Sequence, residues 1–387
     1  MREAVIVDGV RTPIGRAHPR KGWLRTMRPD DMMVTLIRAL IDRNRIEARQ
    51  IEEVIVGCAN QTGVQGGLGL ARIITLLTGL PHDVAACTIE RQCASAMTAI
   101  HYAAMAIRGN MGDIMIAGGV ESMSMVPMGA NAVINPKLAL SFSIAELPMG
   151  ATAEKVARKH KISRKDQDLF GLESHRKTAA AYAAGKFKDE IIPLEVTYED
   201  GSAALISKDQ SPREDVSMEV MTELKPSFRP GGTVTAGNSS PINDGGSAVL
   251  MMTKEKAKEL GLTPLATVRW MAVAGVDPTE MGLGPIPATR KCLARAGLSI
   301  NDMDLIEINE AFASQTIHCV RELGMDMKKV NVNGGAIAIG HPLGSSGCRI
   351  IVTLAHEMKR RDARFGLATL CVGFGQGAAT ILEREKY

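Results

Sequence analysis

Residues 88–110 read TIERQCASAMTAIHYAAMAIRGN, and this stretch decides how the rest of the chain is interpreted. The apolar run at 84–89 predicts a strand. The strong helix formers at 94–108 predict a helix with an apolar stripe that repeats every three to four positions. Cys93 therefore stands where a strand meets the N-terminus of a helix.

The position of Cys93 leaves two interpretations open. The positive end of a helix dipole favours a thiolate over a thiol, and the thiolate is the species that attacks thioesters. Alternatively, Cys93 is a small apolar core residue, as Cys58 and Cys319 are. The stretch alone does not distinguish them, so the decision depends on a base and a second proton carrier elsewhere in the chain.

Composition narrows the class of protein. The chain has 387 residues, enough for two or three subdomains, and its 46 basic and 42 acidic side chains argue against nucleic-acid binding. The balance still permits a local basic site for an anionic ligand. No run of about 18 apolar residues predicts a membrane span, and no signal-peptide region is expected at the N-terminus. Seven cysteines without a CxxC pair indicate reduced thiols in the cytoplasm.

The order of apolar and amphipathic segments predicts an α/β protein with an internal repeat. Strand-like and helix-like segments alternate in 1–120, which predicts parallel strands joined by crossover helices. Residues 121–248 are loop-rich and then contain charged, amphipathic segments, so they are interpreted as an inserted loop domain. The α/β pattern returns in 249–387, where 304–315 resembles 51–61. Two packed α/β halves would bury a sheet face that one half alone leaves open.

The C-terminal half contains the groups that a nucleophilic Cys93 requires. His341 lies between glycines and is followed by Pro342, a pattern that predicts a histidine fixed by a tight turn and suited to general base catalysis. A lone histidine in apolar sequence is more often a core residue, but the glycines on both sides favour a site. Cys371 ends a strand-like run before the turn GFGQG. Asn309 follows the strand-like run LIEI, where it can hold a water or orient a histidine.

Several motifs in order give the chain a resemblance to the thiolases over essentially its whole length. They are VRTPIGR (10–16), the Cys93 segment, GGVESMS (118–124), GTVTAGNSSPINDG (232–245), NEAF (309–312), GHPLGSSG (340–347) and CVGFGQG (371–377). The resemblance is strongest with the 3-ketoacyl-CoA thiolases of bacterial fatty-acid degradation. It implies a duplicated five-layer α/β/α/β/α core with an inserted loop domain.

The resemblance also implies a reaction. Thiolases cleave a 3-ketoacyl-CoA with CoA to acetyl-CoA and a shortened acyl-CoA through an acyl-enzyme. It implies Cys93 as the nucleophile, His341 as its base and Cys371 as the acid/base at the acetyl-CoA α-carbon. A water on Asn309 is expected to form one oxyanion hole with His341, and the backbone N–H groups of Cys93 and Gly373 the other. Coenzyme A is a substrate, and no metal or permanently bound cofactor is expected.

The resemblance further implies how substrates and partners bind. The inserted domain is expected to bind CoA, with Ala236 and Ser240 along the pantetheine and Arg213 near the nucleotide. The alternative for Ala236 and Ser240 is an ordinary turn residue, and for Arg213 a solvated surface charge. A cytoplasmic homodimer or homotetramer is expected, and degradative thiolases often work beside a hydratase/dehydrogenase subunit.

One residue near Cys93 departs from the family pattern. Glu90 stands where thiolases usually have Asn, and a buried, ionised carboxylate there would oppose thiolate formation. Glu90 is therefore expected to point away, to pair with a base such as Arg91, or to give the site different properties.

Three other functions are compatible with parts of the pattern. A biosynthetic acetyl-CoA acetyltransferase would use the same residues. A ketosynthase-like condensing enzyme would need a second histidine where Cys371 and NEAF stand. A non-catalytic CoA-binding scaffold would not require an intact set of Cys93, His341 and Cys371.

Overall fold

The structure is a computed structural model that describes residues 2–66 and 68–385. The first part of the chain contains β1 (Ala4–Arg11), β2 (Gly15–Arg16), α1 (Pro29–Asn44), β3 (Glu53–Gly57), α2 (Leu70–Thr78), β4 (Ala85–Ile89), α3 (Ser95–Arg108) and β5 (Ile114–Ser122). The middle part contains α4 (Met149–Lys159), α5 (Arg164–Ala183), β6 (Leu194–Thr197), β7 (Ala203–Ile206) and α6 (Met218–Glu223). The last part contains β8 (Asn243–Thr253), α7 (Lys254–Glu259), β9 (Ala266–Gly275), α8 (Pro285–Ala296), β10 (Leu305–Ile308), α9 (Ala313–Leu323), α10 (Ala336–Ile339), α11 (Leu343–Arg361), β11 (Phe365–Val372) and β12 (Gln376–Glu383).

Two strand arrays with the same topology form the sheet. The first has the order β4-β3-β5-β8-β1, and the second has the order β10-β11-β12-β9. In both arrays a parallel pair (β3 with β5, β10 with β11) is followed by two antiparallel pairings. β3 and β10 occupy equivalent places, so the predicted similarity of 51–61 and 304–315 is confirmed. The arrays join through antiparallel β1 and β9, with Val5 opposite Thr267 and Ile6 opposite Ala266.

Helices divide the core into five layers. α1 and α2 pack on the outer face of the first array, and α8 and α9 pack on the outer face of the second. α3 and α11 lie back to back between the arrays and share one apolar cluster with both of them. Small residues permit this close packing: a Cβ added to Gly347 of α11 would lie 2.7 Å from the backbone nitrogen of Met97 in α3. The predicted α/β class with a duplicated core is confirmed.

The expected boundary between residues 248 and 249 falls inside a continuous strand. All residues of β8 (Asn243–Thr253) are buried, and β8 pairs with both β1 and β5. We therefore assign β8 to the first half and place the inserted segment between β5 and β8. The sequence predicted the boundary within β8 because the apolar pattern of a strand does not show to which side of an insertion the strand belongs.

Buried ion pairs fasten the inserted segment to the core. Arg11 at the end of β1 donates from Nε to Glu190 (2.7 Å) and from Nη1 to Asp209 (2.7 Å), and all three side chains are buried. Tyr182 of α5 donates to the same Asp209 carboxylate (2.7 Å). These contacts explain Arg11, the first arginine of the VRTPIGR motif, as an anchor for the inserted segment. Throughout 2–66 and 68–385, no helix combines the length and apolar character needed to cross a bilayer.

Candidate active site

Cys93 lies at the centre of the candidate site. It belongs to a short 3-10 helix, Gln92–Ala94, between β4 and α3, and it is 3% exposed. The preceding Gln92 has a φ of 43°, which turns the chain sharply before α3 begins. Two backbone N–H groups, those of Gly373 and of Cys93 itself, point at the Cys93 sulfur. The predicted strand-to-helix junction is therefore confirmed, and the sulfur faces a pair of donors.

The protonation state of Cys93 differs from the expectation. Burial raises the pKa of the Cys93 thiol to about 12, and the carboxylates of Glu121 and Glu90 add to this rise. The N–H groups of Gly373 and Cys93 lower the pKa, but burial outweighs them. The two N–H donors beside the helix start favour the thiolate, as expected, but desolvation is the larger effect at this position, so the net shift favours the thiol. The neutral thiol is therefore the favoured form of Cys93 at neutral pH.

A second thiol comes from the other half of the core. Cys371 ends β11, is 1% exposed, and lies close enough to Cys93 to interact with it electrostatically. Burial, then the neighbouring Cys93, raises the pKa of Cys371 well above its ordinary value. The tight turn after β11 uses positive φ angles at Phe374 (60°) and Gly375 (81°), and it directs the Gly373 N–H toward the site. The glycine-rich motif thus places both a second thiol and a hydrogen-bond donor beside Cys93.

His341 is held by its backbone, as its flanking residues predict. Gly340 has a φ of 124°, and a Cβ there would lie 2.6 Å from the Cγ2 atom of Ile14. The His341 N–H donates to Asn243 Oδ1 (2.8 Å). Ser346 Oγ lies 2.6 Å from His341 Nδ1 and donates its own hydrogen to the carbonyl of Pro342 (2.8 Å). Nδ1 must therefore carry the proton, which leaves Nε2 as the basic nitrogen.

The surroundings keep the His341 imidazole neutral. Burial and, to a smaller extent, the nearby Arg349 guanidinium lower its pKa to about 3. Asn309 Nδ2 lies 3.3 Å from His341 Nε2, and the Asn309 N–H donates to Thr369 of β11 (3.0 Å). Asn309 Oδ1 is buried and has no hydrogen-bond partner among the residues that the structure describes. Asn309 thus offers an unused polar atom beside the imidazole.

Glu121 contacts both the segment after β3 and the first turn of α11. It was not predicted as a site residue. Its buried carboxylate accepts hydrogen bonds from Gln65 Nε2 (2.7 Å), the Gly344 N–H (2.8 Å) and the Ala59 N–H (3.0 Å). Gly344 lies in the first turn of α11, three residues after His341. Leu343 of the same turn belongs to the apolar cluster of Cys93. The place of Glu121 at the end of β5, within GGVESMS, is the only sequence signal that it links these elements. Ser346 and Asn243 were missed in the same way.

A cleft in the inserted segment approaches His341 from the surface. It is lined by Arg16, Ala17, His18, His175, Ser211, Arg213, Ala236, Pro241, Ile242 and Ile337. Arg213 and Ala236 are exposed at this cleft. Ser240 is half-buried, and both its N–H (3.0 Å) and its hydroxyl (3.1 Å) donate to the Ala311 carbonyl of NEAF. Ile242 forms a backbone bridge with His341, so the cleft ends beside the imidazole-bearing turn.

The outer end of this cleft is positively charged. Burial, Arg213 and Arg16 together lower the pKa of His175 to about 4. Burial and then Arg213 lower the pKa of Arg16. The Arg213 N–H donates to His175 Nδ1 (3.2 Å). Arg16 Nε is buried without a hydrogen-bond partner in the described part of the chain. This arrangement suits an anionic ligand, and it adds Arg16 and His175 to the predicted Arg213.

Glu90 does not pair with Arg91 and does not enter the core. Its carboxylate is exposed, and Oε1 accepts from the Gln92 N–H (2.6 Å) and from Gln92 Nε2 (2.9 Å). The expected option that Glu90 points away from the sulfur describes it best. Its charge still contributes to the raised pKa of Cys93.

Comparison with known proteins places this geometry in a family. The model of the thiolase N-terminal domain matches residues 4–255, and that of the thiolase C-terminal domain matches residues 262–384. A 3-ketoacyl-CoA thiolase from Marinomonas sp. (strain MWYL1) is 48% identical over 99% of this chain and 98% of its own length. A 3-ketoacyl-CoA thiolase from Bacillus subtilis (strain 168) is 48% identical over 99% of this chain and its own full length.

A solved structure agrees with these relatives. The crystal structure of the Bacillus anthracis acetyl-CoA acetyltransferase superimposes with a TM-score of 0.91 and 40% identity, covering 99% of each chain. Sequence and structure thus match along nearly the whole length of both halves. With two buried thiols, a neutral imidazole and an asparagine gathered from the two halves of a duplicated core, the chain belongs to the thiolase family of acyltransferases.

Proposed function

We propose that this protein is a 3-ketoacyl-CoA thiolase that cleaves a 3-ketoacyl-CoA with CoA, yielding acetyl-CoA and an acyl-CoA shortened by two carbons, in fatty-acid β-oxidation. The observation that carries the proposal is the meeting of Cys93 and Cys371, from different halves, beneath the N–H group of Gly373. Two thiols and one base are the groups that a C–C cleavage through a thioester requires.

In the first half-reaction, His341 accepts the Cys93 proton as the sulfur attacks the C3 carbonyl of the substrate. The bond between C2 and C3 then breaks, and its electrons form the enolate of acetyl-CoA. Cys371 donates its proton to the α-carbon and becomes a thiolate. The acyl group remains on Cys93 as a thioester.

In the second half-reaction, the Cys371 thiolate accepts the proton of the CoA thiol. The CoA sulfur attacks the acyl–Cys93 carbonyl, and Cys93 leaves and recovers its proton from His341. The N–H groups of Cys93 and Gly373 stabilise the oxyanion formed at Cys93, and a water on Asn309 with His341 stabilises the thioester enolate. Each donor of this kind contributes about 3 kcal/mol to the transition state.

Substrate binding follows from the surroundings of the two thiols. Met123 and Leu343 pack in the cluster of Cys93, and Met281 and Phe312 pack in that of Cys371, so an acyl chain would lie against apolar side chains. We place the CoA nucleotide at the basic cleft beside Arg213 and the pantetheine along Ala236 and Ser240. No permanently bound cofactor enters this mechanism. We further propose a cytoplasmic homodimer or homotetramer, which assembles with a hydratase/dehydrogenase subunit in degradation.

Trapping the acyl-enzyme tests the proposal. Incubation with acetoacetyl-CoA without free CoA should leave an acetyl group on Cys93, located by peptide mass spectrometry. Cys93→Ser should lower kcat for thiolysis by at least about 10³-fold. Cys292→Ser, which alters a buried cysteine of the second half, should keep both the label and the rate. An unlabelled Cys93 in the parent protein would favour a CoA-binding scaffold.

A second function, acetyl-CoA acetyltransferase, is favoured by the name of the Bacillus anthracis protein to which the fold is similar. The two functions differ in acyl-chain length, since an acetyltransferase acts on acetoacetyl-CoA. The discriminating measurement is kcat/KM for acetoacetyl-CoA against 3-ketohexadecanoyl-CoA. A degradative enzyme should retain activity on the long substrate, whereas a strong preference for acetoacetyl-CoA would reverse the assignment.

A further inference from the structure

Glu90 and Gln92 form a small hydrogen-bonded clamp directly before Cys93. One carboxylate oxygen of Glu90 accepts from both the backbone N–H (2.6 Å) and the side-chain Nε2 (2.9 Å) of Gln92. Gln92 has a φ of 43°, in the left-handed region that non-glycine residues seldom adopt. The two hydrogen bonds therefore stabilise a backbone conformation that is otherwise unfavourable at Gln92.

The clamp acts on the loop that supplies a donor to Cys93. A Cβ placed on Gly373 would lie 3.6 Å from both Cγ and Oε1 of Gln92, so the Gln92 side chain packs across Gly373. Gly373 in turn directs its N–H at the Cys93 sulfur. A chain of contacts thus leads from the exposed Glu90 through Gln92 and Gly373 to the nucleophile.

We propose that Glu90 is a positioning residue that holds Gln92 against Gly373, so that the Gly373 N–H stays aligned with the Cys93 sulfur. The proposal rests on the function proposed above only for its effect on turnover. Its effect on the thiol itself is independent of the reaction.

The charge of Glu90 and its positioning of Gly373 have opposite effects on the pKa of the Cys93 thiol, so the experiment must separate them. The groups that influence the Cys93 sulfur are Glu90, Glu121 and Cys371 together with the two N–H donors. Loss of the Glu90 charge makes the Cys93 thiolate easier to form, whereas loss of the Gly373 donor makes it harder. Glu90→Gln removes the charge but keeps an oxygen that accepts from Gln92. Glu90→Ala removes both, so the comparison between these two variants isolates the alignment.

The test is the rate at which iodoacetamide alkylates Cys93 at one fixed alkaline pH, followed by peptide mass spectrometry. Alkylation should be about tenfold slower in Glu90→Ala than in Glu90→Gln, the difference expected for losing one charge-stabilising hydrogen bond. Gln92→Ala, which keeps Glu90 but removes the packing on Gly373, should also react more slowly than the parent. Thiolysis kcat should fall about tenfold in Glu90→Ala and recover in Glu90→Gln, with KM for CoA unchanged.

The chain offers a matched control. Asp200 is another exposed carboxylate that accepts from the backbone N–H (3.0 Å) and the side chain (2.6 Å) of a residue two positions on, Ser202, within the inserted segment. Asp200→Ala should leave alkylation and turnover at parent values. Equal alkylation rates in Glu90→Ala and Glu90→Gln would overturn the proposal, even if the parent protein proved not to be a thiolase.

Discussion

At the scale of single residues, burial decides the chemistry of the site. Cys93 is a thiol because desolvation outweighs two N–H donors, and His341 is neutral because it is buried beside a guanidinium. A neutral thiol and a neutral imidazole avoid placing two unpaired charges in an apolar interior. In the mechanism proposed above, the ion pair needs to form only while the carbonyl is attacked, when the oxyanion donors are in use.

The pKa of His341 leads to a prediction about pH. An ordinary histidine, with a pKa near about 6.5, would be protonated and inactive as a base at mildly acidic pH. Because the pKa of His341 is about 3, its neutral form should persist throughout mildly acidic conditions. We expect kcat/KM for acetoacetyl-CoA thiolysis to show no acidic limb near about pH 6.5. Thermal unfolding measured at each pH controls for loss of folded protein. An acidic limb of kcat/KM near about pH 6.5 would show that His341 has an ordinary pKa.

The positions of the reacting groups could be predicted from sequence, but their protonation states could not. Glycine and proline mark the turns that hold His341 and Gly373, so these positions stand out in the chain. The pKa of Cys93 depends on how completely α3 and α11 exclude water, which is a property of the packed core. Ser346, Asn243 and Glu121 act across long sequence separations through hydrogen bonds, and their residue types alone do not distinguish them from other polar residues.

At the scale of elements, the contact between α3 and α11 determines where the reacting groups stand. Cys93 directly precedes α3, and His341 directly precedes α11. A shift of one helix against the other would therefore move the proposed nucleophile, Cys93, relative to the proposed base, His341. The contact uses Gly347, where even one added carbon meets Met97 of α3.

Gly347→Ala tests this contact. Its Cβ would lie 2.7 Å from both the backbone nitrogen and the Cβ of Met97, so the helices must separate. We expect a loss of stability of about 1–3 kcal/mol and a larger proportional loss of kcat than of CoA binding. Chemical denaturation and steady-state kinetics measure these effects. Gly275→Ala is the control, because a Cβ there would lie 3.9 Å from the Gly375 carbonyl oxygen, an ordinary van der Waals distance.

The C-terminal end of α11 contains an acid-sensitive contact. Glu357 is 3% exposed; although burial opposes its charge, hydrogen bonds from Asn333, Arg360 and Arg361 lower its pKa to about 2. A lowered carboxyl pKa stabilises the folded state above the unfolded value of about 4.3, and this stabilisation disappears as the pH falls through about 2.

Glu357→Gln should remove that contribution. We expect the variant to be less stable than the parent by about 2 kcal/mol at neutral pH, with the difference shrinking as the medium becomes acidic. Denaturant unfolding at several pH values measures it. Glu259→Gln, which breaks an exposed pair with Lys256, should change stability by less than about 0.5 kcal/mol. A parent and a Glu357→Gln variant with parallel pH curves would contradict the role of this carboxylate.

At the scale of the whole molecule, the inserted segment and the core build the cleft together. Arg16 comes from the first half, whereas His175 and Arg213 come from the inserted segment. The duplicated α/β core was predictable because its periodicity is local and repeated. The basic cleft was only partly predictable, because its charges are far apart in the chain and meet only after folding.

Arg213→Ala tests the cleft as a nucleotide site. Removing this exposed charge should raise KM for CoA about 5- to 10-fold at low salt, with kcat little changed and the difference smaller at high salt. Arg49→Ala, which removes an arginine that is 77% exposed and pairs with Glu47, is the matched control and should leave KM unchanged. An unaltered KM in Arg213→Ala would make Arg213 a solvated surface charge.

The equivalent placement of Cys93 and His341 in the two halves has a consequence for the origin of the enzyme. A symmetric pair of identical ancestral subunits would present the same residue twice at the paired helix starts, two sulfurs or two imidazoles. Once the two copies differ in sequence, one helix start can present a sulfur and the other an imidazole. The duplicated core thus provides two equivalent helix starts, and their different side chains give the molecule an asymmetry that its backbone lacks.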